Sequence, residues 1–228
     1  MSLNQPGIRS LGRRLGLNST GRKFLNYLRP NSAYEAEFSK RLLGCASPGD
    51  CVWDVGANVG YYTRQFAERV GEAGIVFAFE PFKSTFDRLL TETSRFPQVK
   101  CAQFALGSED GEVFAEAVPE SPTNTLFGKT TPGSGELVRI KTGRKLILEG
   151  YRPPTVLKID VEGFEEDVLW GLREELRNSS CRAIFVEVHY GLLEQRGFLR
   201  APNRLVSLLK DLGFRTTWVD SSHLAGNR

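Results

Sequence analysis

Short apolar runs alternate with stretches in which apolar residues recur every three or four positions. Cys51–Trp53, Ile75–Phe79 and Val99–Phe104 are compact runs of the kind a strand buried on both faces requires, and Thr155–Asp160 is another, ending in a carboxylate. Between them, Tyr62, Phe66 and Val70 fall on one face of a helix that Gly71 stops, and Phe82, Phe86, Leu89 and Leu90 repeat the pattern. Ser32–Leu43 reads as a preceding helix with Tyr34, Phe38, Leu42 and Leu43 on one side. Phe164, Val168, Leu169, Leu172 and Leu176 mark a later helix, opened by Gly163, and Asn203–Leu212 marks another. Arg182–Tyr190 and Phe214–Val219 complete the strands. Strand and helix in regular succession predict an α/β fold: a mostly parallel twisted sheet, Rossmann-like, with helices on both faces and right-handed crossovers. Only one strand follows the last helix, so a closing antiparallel hairpin is expected to be incomplete.

Two segments interrupt this order. Glu109-Asp110-Gly111 is a hairpin signal leading into a strand at Glu112–Val118. Pro119–Gly135, rich in Pro, Gly, Ser and Thr, reads as a loop over the site, where Asn124 and Thr125 are candidates to touch a substrate. Glu136–Lys141 is a further strand.

The chemistry concentrates at the ends of strands. In Val52–Gly60, VWDVGANVG, an apolar strand ends in Asp54, and a turn of small residues opens onto a helix. Gly56, Ala57 and Gly60 allow the backbone to approach a ligand closely. A phosphate loop would need Gly-Lys-Ser/Thr here and a dinucleotide site would need G-x-G-x-x-G; the chain has Asp54-x-Gly56-x-Asn58-x-Gly60 instead. A carboxylate at the strand end repels a pyrophosphate but suits an ammonium or a bridging water. Glu80 stands at the tip of the second strand, the position from which an acidic side chain takes ribose hydroxyls. Adenosine with a cationic amino-acid tail, the composition of S-adenosylmethionine, fits both charges.

With those residues in place, VWDVGANVGYYT, FAFEP (Phe77–Pro81), ALGSEDGEV (Ala105–Val113) and LKIDVEGFE (Leu157–Glu165) resemble, in order and spacing, the motifs of the FkbM family of S-adenosylmethionine-dependent methyltransferases. The resemblance runs from about Tyr34 to about Tyr190. It implies a class I methyltransferase fold and O-methylation of a small molecule or glycan, such as a sugar, a polyketide or a related secondary metabolite. Asp54, Gly56, Ala57, Asn58, Gly60, Glu80, Pro81, Ala105, Leu106 and Asp160 are the expected cofactor-binding residues. Arg144 and Lys145 depart from the Leu-Asp pair common in the family at that place, which leaves the local geometry open.

Ligands of open α/β sheets lie at the carboxyl ends of the strands. That gathers Asp160, Glu187 and His189 around the same crevice, with Glu187 and His189 on one face of their strand. His189, one of two histidines, is the candidate base. Asp160 and Glu187 either orient it or join it in holding a divalent cation, Mg or Mn, on the acceptor oxygen. Glu162 and Glu165 are expected to serve the positive N-terminus of the following helix. His223 is expected to lie in a polar tail outside the site.

Composition narrows the picture further. The 228 residues, 40% of them hydrophobic, suffice for one globular domain with a terminal extension. The net charge of +3 comes wholly from residues 1–30, which carry six basic residues and no acidic one, against 24 basic and 27 acidic residues in 31–228. This basic leader is read apart from the methyltransferase domain at 31–228. Its Ile8, Leu11, Leu15, Leu17, Phe24, Leu25 and Leu28, broken by Gly12, Gly16 and Gly21, leave two readings: weak contact with an anionic membrane surface or nucleic acid, or a partly disordered leader or a helix packed on the domain. No run approaches the ~18 apolar residues of a transmembrane segment. Four scattered cysteines without a C-x-x-C pair suit free thiols and a cytoplasmic protein.

The residues after the fourth strand argue against nucleic acid as the acceptor. Enzymes acting on exocyclic amines commonly carry Asn/Asp-Pro-Pro-Tyr/Phe where this chain has Lys158-Ile159-Asp160-Val161-Glu162. A nicotinamide-dependent oxidoreductase would share the fold, but Asn58 breaks its fingerprint. A non-catalytic adenosyl-binding module would be expected to lose the acidic cluster.

Overall fold

A computed structural model describes residues 33–115, 135–177, 180–198 and 200–228. The basic leader and most of the Pro119–Gly135 loop, with Asn124 and Thr125, lie outside the described residues.

Helix α1 (Ala33–Gly44) precedes a central sheet built from β1 (Cys51–Val55), β2 (Ile75–Phe79), β3 (Val99–Ala102), β7 (Val156–Ile159), β8 (Ala183–Glu187), β9 (Arg215–Trp218) and β10 (His223–Asn227). Their order is β3-β2-β1-β7-β8-β10-β9. The first five are parallel, while β10 runs antiparallel between β8 and β9. The crossovers are helices α2 (Tyr61–Val70), α3 (Lys83–Thr93) and α5 (Glu165–Arg177), with α6 (Tyr190–Gln195) and α7 (Ala201–Asp211) following β8. A three-stranded sheet of β4 (Ala105–Leu106), β6 (Glu136–Lys141) and β5 (Gly111–Ala115), in that order, and helix α4 (Gly143–Leu148) occupy the stretch between β3 and β7.

Because strand side chains alternate, β1 sends Trp53 and Val55 into one core with Phe79, Leu157, Ile159, Leu169 and Leu172, and Val52 into the other with Phe38, Phe66, Val70, Val156 and Phe185. Trp53, fully buried, donates its indole N–H to the carbonyl of Arg152 at 2.9 Å, so the largest core side chain leaves no polar atom unmet. Truncating either Trp53 or Phe66 to alanine would cost about 3–5 kcal/mol by this kind of burial.

Three sequence expectations change here. The closing hairpin is complete: β10, HLAGN, is too short and too rich in small residues to read as a strand alone, yet it slots between β8 and β9 and buries His223, Leu224 and Ala225. Glu109-Asp110-Gly111 is not a hairpin between neighbours, because β6 lies between β4 and β5. Asp110 instead accepts from the backbone of Thr142 at 2.8 Å and faces Lys145 at 3.1 Å, fastening α4. The strand expected over Arg182–Tyr190 ends at Glu187, and Tyr190 starts α6.

Candidate active site

A cleft open to solvent lies at the carboxyl ends of β1, β2 and β7, where open α/β sheets bind their ligands. Gly56, Asn58, Glu80, Pro81, Ala105, Leu106 and Asp160 line it together with Val55, Phe79, Phe82, Thr85, Phe104, Val161, Glu162 and Phe164. Of the residues the sequence nominates for the cofactor, Asp54, Ala57 and Gly60 are absent from this lining and lie behind it.

The Gly turn is fixed from within. Gly56 and Ala57 donate to the carbonyl of Phe79 at 3.0 Å each, Gly60 donates to Ala57 at 2.9 Å, Asn58 donates to Glu80 Oε2 at 3.0 Å, and Val59 donates to Asn58 Oδ1 at 2.8 Å. Five successive amides thus have acceptors inside the protein, the reverse of a phosphate loop, whose amides face the ligand. Gly56 takes φ +76°, and a Cβ on it would stand 1.9 Å from the carbonyl oxygen of Asp160, so β1 and β7 meet there as only glycine permits.

Glu80 is 5% exposed and also accepts from the Phe82 amide at 3.2 Å. Burial pushes its carboxyl up to about 7, against the two amides that favour the ionised form.

Asp54 does not face a ligand. It is fully buried, accepts from Thr63 Oγ1 at 2.6 Å and meets Lys158 Nζ at 2.9 Å. The register explains the pair, since Asp54 of β1 lies opposite Lys158 of β7 on the same face. Burial works against the Lys158 ammonium, but Asp54 and Asp160 more than offset it and raise its pKa. Nζ also donates to the Gly56 carbonyl at 3.2 Å and stands 3.8 Å from Asp160 Oδ2.

At the other side of Asp160 the acidic residues and both histidines converge. His189, 9% exposed, points Nε2 at Glu162 Oε2 (3.4 Å), Asp160 Oδ1 (3.6 Å) and Glu187 Oε1 (3.8 Å), while its Nδ1 lies 2.6 Å from Glu165 Oε1. Burial and the Glu187 charge push Asp160 up to about 6. Asp160, Glu187 and His189 are therefore brought together, as their places at strand ends suggested.

Glu162, Glu165 and His223 are where the sequence reading falls short. Glu162 (φ 50°) and Gly163 (φ 97°) reverse the chain between β7 and α5, which swings the Glu162 carboxylate back toward His189. Glu165 does begin α5, but its carboxylate accepts from Gly163 and holds His189 rather than only facing the helix dipole. His223 pairs in register with Glu187, its Nε2 3.7 Å from Glu187 Oε2, its Nδ1 2.6 Å from Asp220, and its ring stacked 3.8 Å from Phe38 of α1. Lys158 carried a usable signal, a lone cation in an apolar run two residues before Asp160 and hence on the same face.

Residues 54–216 match the model of the methyltransferase FkbM domain. The chain belongs to the FkbM methyltransferase family. A 160-residue stretch is 35% identical to the hexuronic acid methyltransferase AglP of Haloferax volcanii, covering 69% of this chain and 64% of that protein, so the chain spans under two thirds of this curated relative's length. Among solved structures, an FkbM methyltransferase from Methylobacillus flagellatus KT superposes with a TM-score of 0.52 at 15% identity, covering 83% of this chain and 50% of that one. Fibrillarin from Aeropyrum pernix, solved with natively bound S-adenosyl-L-methionine, gives 0.52 at 12% identity over 85% of this chain and 74% of its own. At such identities these likenesses carry the fold alone, and they agree with the Rossmann-like class I methyltransferase architecture of this FkbM family member. Among the described residues no helix is long and apolar enough to cross a membrane.

Proposed function

We propose that this protein transfers a methyl group from S-adenosylmethionine to a hydroxyl oxygen of a sugar or glycan. The observation that carries the reading is that two residues, Asp160 and Glu162, belong both to the cleft and to the acid–histidine cluster, so a ligand in the first and an acceptor at the second would meet there. Family membership supports the cofactor, and the hexuronic acid methyltransferase relative supports the acceptor class.

Bound S-adenosylmethionine would supply an electrophilic methyl carbon, from which the departing sulfur leaves as a neutral thioether. The protein's part is alignment and proton removal. Glu80 would accept from the ribose hydroxyls, Gly56 and Asn58 would shape the floor, and Phe104, Ala105 and Leu106 would wall the adenine. Asp160 would face the cationic tail or the sulfonium, attractive to either. Asp54, through Lys158 and the Gly56 carbonyl, would hold the turn from behind.

The acceptor hydroxyl would be activated in one of two ways at the cluster. His189, with Nδ1 fixed by Glu165, would take its proton directly, or a divalent cation, Mg or Mn, held by His189 and the carboxylates around it would lower the hydroxyl's pKa. The donor types fit both.

The test is product analysis. The purified chain is incubated with methyl-labelled S-adenosylmethionine and a panel of hexuronate- and neutral hexose-terminated oligosaccharides, with an RNA control. Label in an alkali-stable ether on a sugar is the expected result, and label confined to RNA would overturn the acceptor assignment.

A further inference from the structure

The cluster beside the cleft offers a choice of ligands that the sequence could not resolve. The oxygen donors of Asp160 and Glu162 and the nitrogen of His189 all lie within 4.8 Å of one another. Nε2 stands 3.4 Å from Glu162 and 3.6 Å from Asp160, close to the edge of about 3 Å that separates neighbouring donors around an ion bound at 2.0–2.2 Å. Glu187 falls outside this set. It lies 3.8 Å from Nε2, and its other oxygen is 3.7 Å from His223, which Asp220 backs at 2.6 Å.

We infer that Asp160, Glu162 and His189 form a divalent-cation site of one imidazole and two carboxylates, with Glu165 as the carboxylate that orients the imidazole and Glu187 beside the site rather than in it.

Three independent features converge on this. The first is the donor set, which mixes nitrogen and oxygen as Mn does more readily than Mg. The second is the Glu165–His189 contact at 2.6 Å, because a histidine ligand characteristically has its other ring nitrogen held by a carboxylate. With Nδ1–H donated to Glu165, the Nε2 lone pair is turned toward carboxylate oxygens, an arrangement that needs a cation or a proton between them. The third is charge. Glu162, Asp160, Glu165 and Glu187 surround His189, and the nearby buried ammonium, Lys158, is already directly bonded to Asp54. The turn that makes this possible is local, with Glu162 and Gly163 both at positive φ. The site adjoins the cleft through Asp160 and Glu162, both of which line it, so an acceptor oxygen bound in the cleft would lie beside the ion. This role rests on the methyl-transfer reading; the presence of the site does not.

The test is binding of Mn²⁺ to the chelator-treated full chain, followed by electron paramagnetic resonance and calorimetry, with and without S-adenosylhomocysteine. One ion per chain is expected, bound more tightly than Mg²⁺. Glu162→Gln should weaken it by tenfold or more, Glu165→Gln by about tenfold as an orienting residue, and Glu187→Gln by less than threefold. The two histidines give a second readout that leaves every proposed ligand intact: in a ¹H–¹³C spectrum of labelled imidazoles, assigned with His223→Asn, sub-stoichiometric Mn²⁺ should broaden the His189 signal first. Circular dichroism on each variant separates lost binding from lost folding. No saturable Mn²⁺ binding by the folded wild type at millimolar ion would overturn the proposal and leave a proton in the cation's place. Loss of binding with Glu187→Gln but not with Glu162→Gln would overturn the ligand set. Mn²⁺ binding without any S-adenosylhomocysteine binding would keep the site and remove the methyl-transfer reading.

Discussion

The two halves of the site are built on opposite principles. On the β1–β2 side, every amide of the Gly turn from Gly56 to Gly60 has an acceptor within the protein, and Asp54 is matched by Lys158 and Thr63. On the β7–β8 side, carboxylates crowd one imidazole. The first half is finished before a ligand arrives, so it offers shape and a few hydrogen bonds. The second holds like charges together and gains most when a positive charge enters. A cationic methyl donor placed between a preorganised cradle and a negative cluster suits that division of labour.

The sharpest way to break the first half is Lys158→Met. It leaves the fully buried Asp54 without its ammonium, and removing one partner of a buried pair costs about 3–5 kcal/mol. Thermal or denaturant unfolding should show a loss of that size. A loss below about 1 kcal/mol would mean the pair is not the internal brace described here.

Glu80→Ala comes next. Removing hydrogen bonds from a charged acceptor to a ribose diol should weaken S-adenosylhomocysteine binding about 10- to 100-fold. The same residue sets a pH dependence. Its free-state carboxyl sits near 7, and a diol that donates to it favours the ionised form, so the ligand lowers that pKa. Affinity should therefore be full above about pH 7 and fall as the pH drops below it, while Glu80→Gln flattens this limb. A pH-independent affinity from 5.5 to 8 in the wild type would show that the diol does not use Glu80.

The second half is probed more gently by Glu165→Gln, which keeps the shape and removes the charge that fixes His189. Turnover should fall about 10- to 100-fold with cofactor affinity unchanged, since Glu165 touches neither ligand. An equal loss of cofactor affinity would mean it acts on the cradle instead. The smallest effect belongs to Arg144→Ala with Lys145→Ala. Those side chains face Glu175 at 3.9 Å and Asp110 at 3.1 Å on exposed surface, so activity should hold within twofold, with stability within about 1 kcal/mol.

What the sequence made legible follows from where the physics is local. Continuous apolar runs exposed the parallel strands and the 3.6 period the long helices, and a turn of small residues between a strand and a helix is visible without coordinates. The Asp54–Lys158 pair needed the register of two strands 104 positions apart, although a lysine inside an apolar run announced that some partner had to exist. Glu162 was hidden because its orientation depends on positive φ at a non-glycine residue, which no periodicity marks. His223 was hidden because its strand is short and small, and becomes recognisable only when β8 and β9 flank it.

Calorimetric titration of the wild type at pH 8 with S-adenosylhomocysteine and, separately, with NAD distinguishes an adenosyl-cofactor cleft from a nicotinamide one. Single-site binding of the adenosyl ligand, weakened by Glu80→Ala, with no heat from NAD, is the expected result. Absence of S-adenosylhomocysteine binding, or NAD binding in its place, would contradict the methyl-transfer reading.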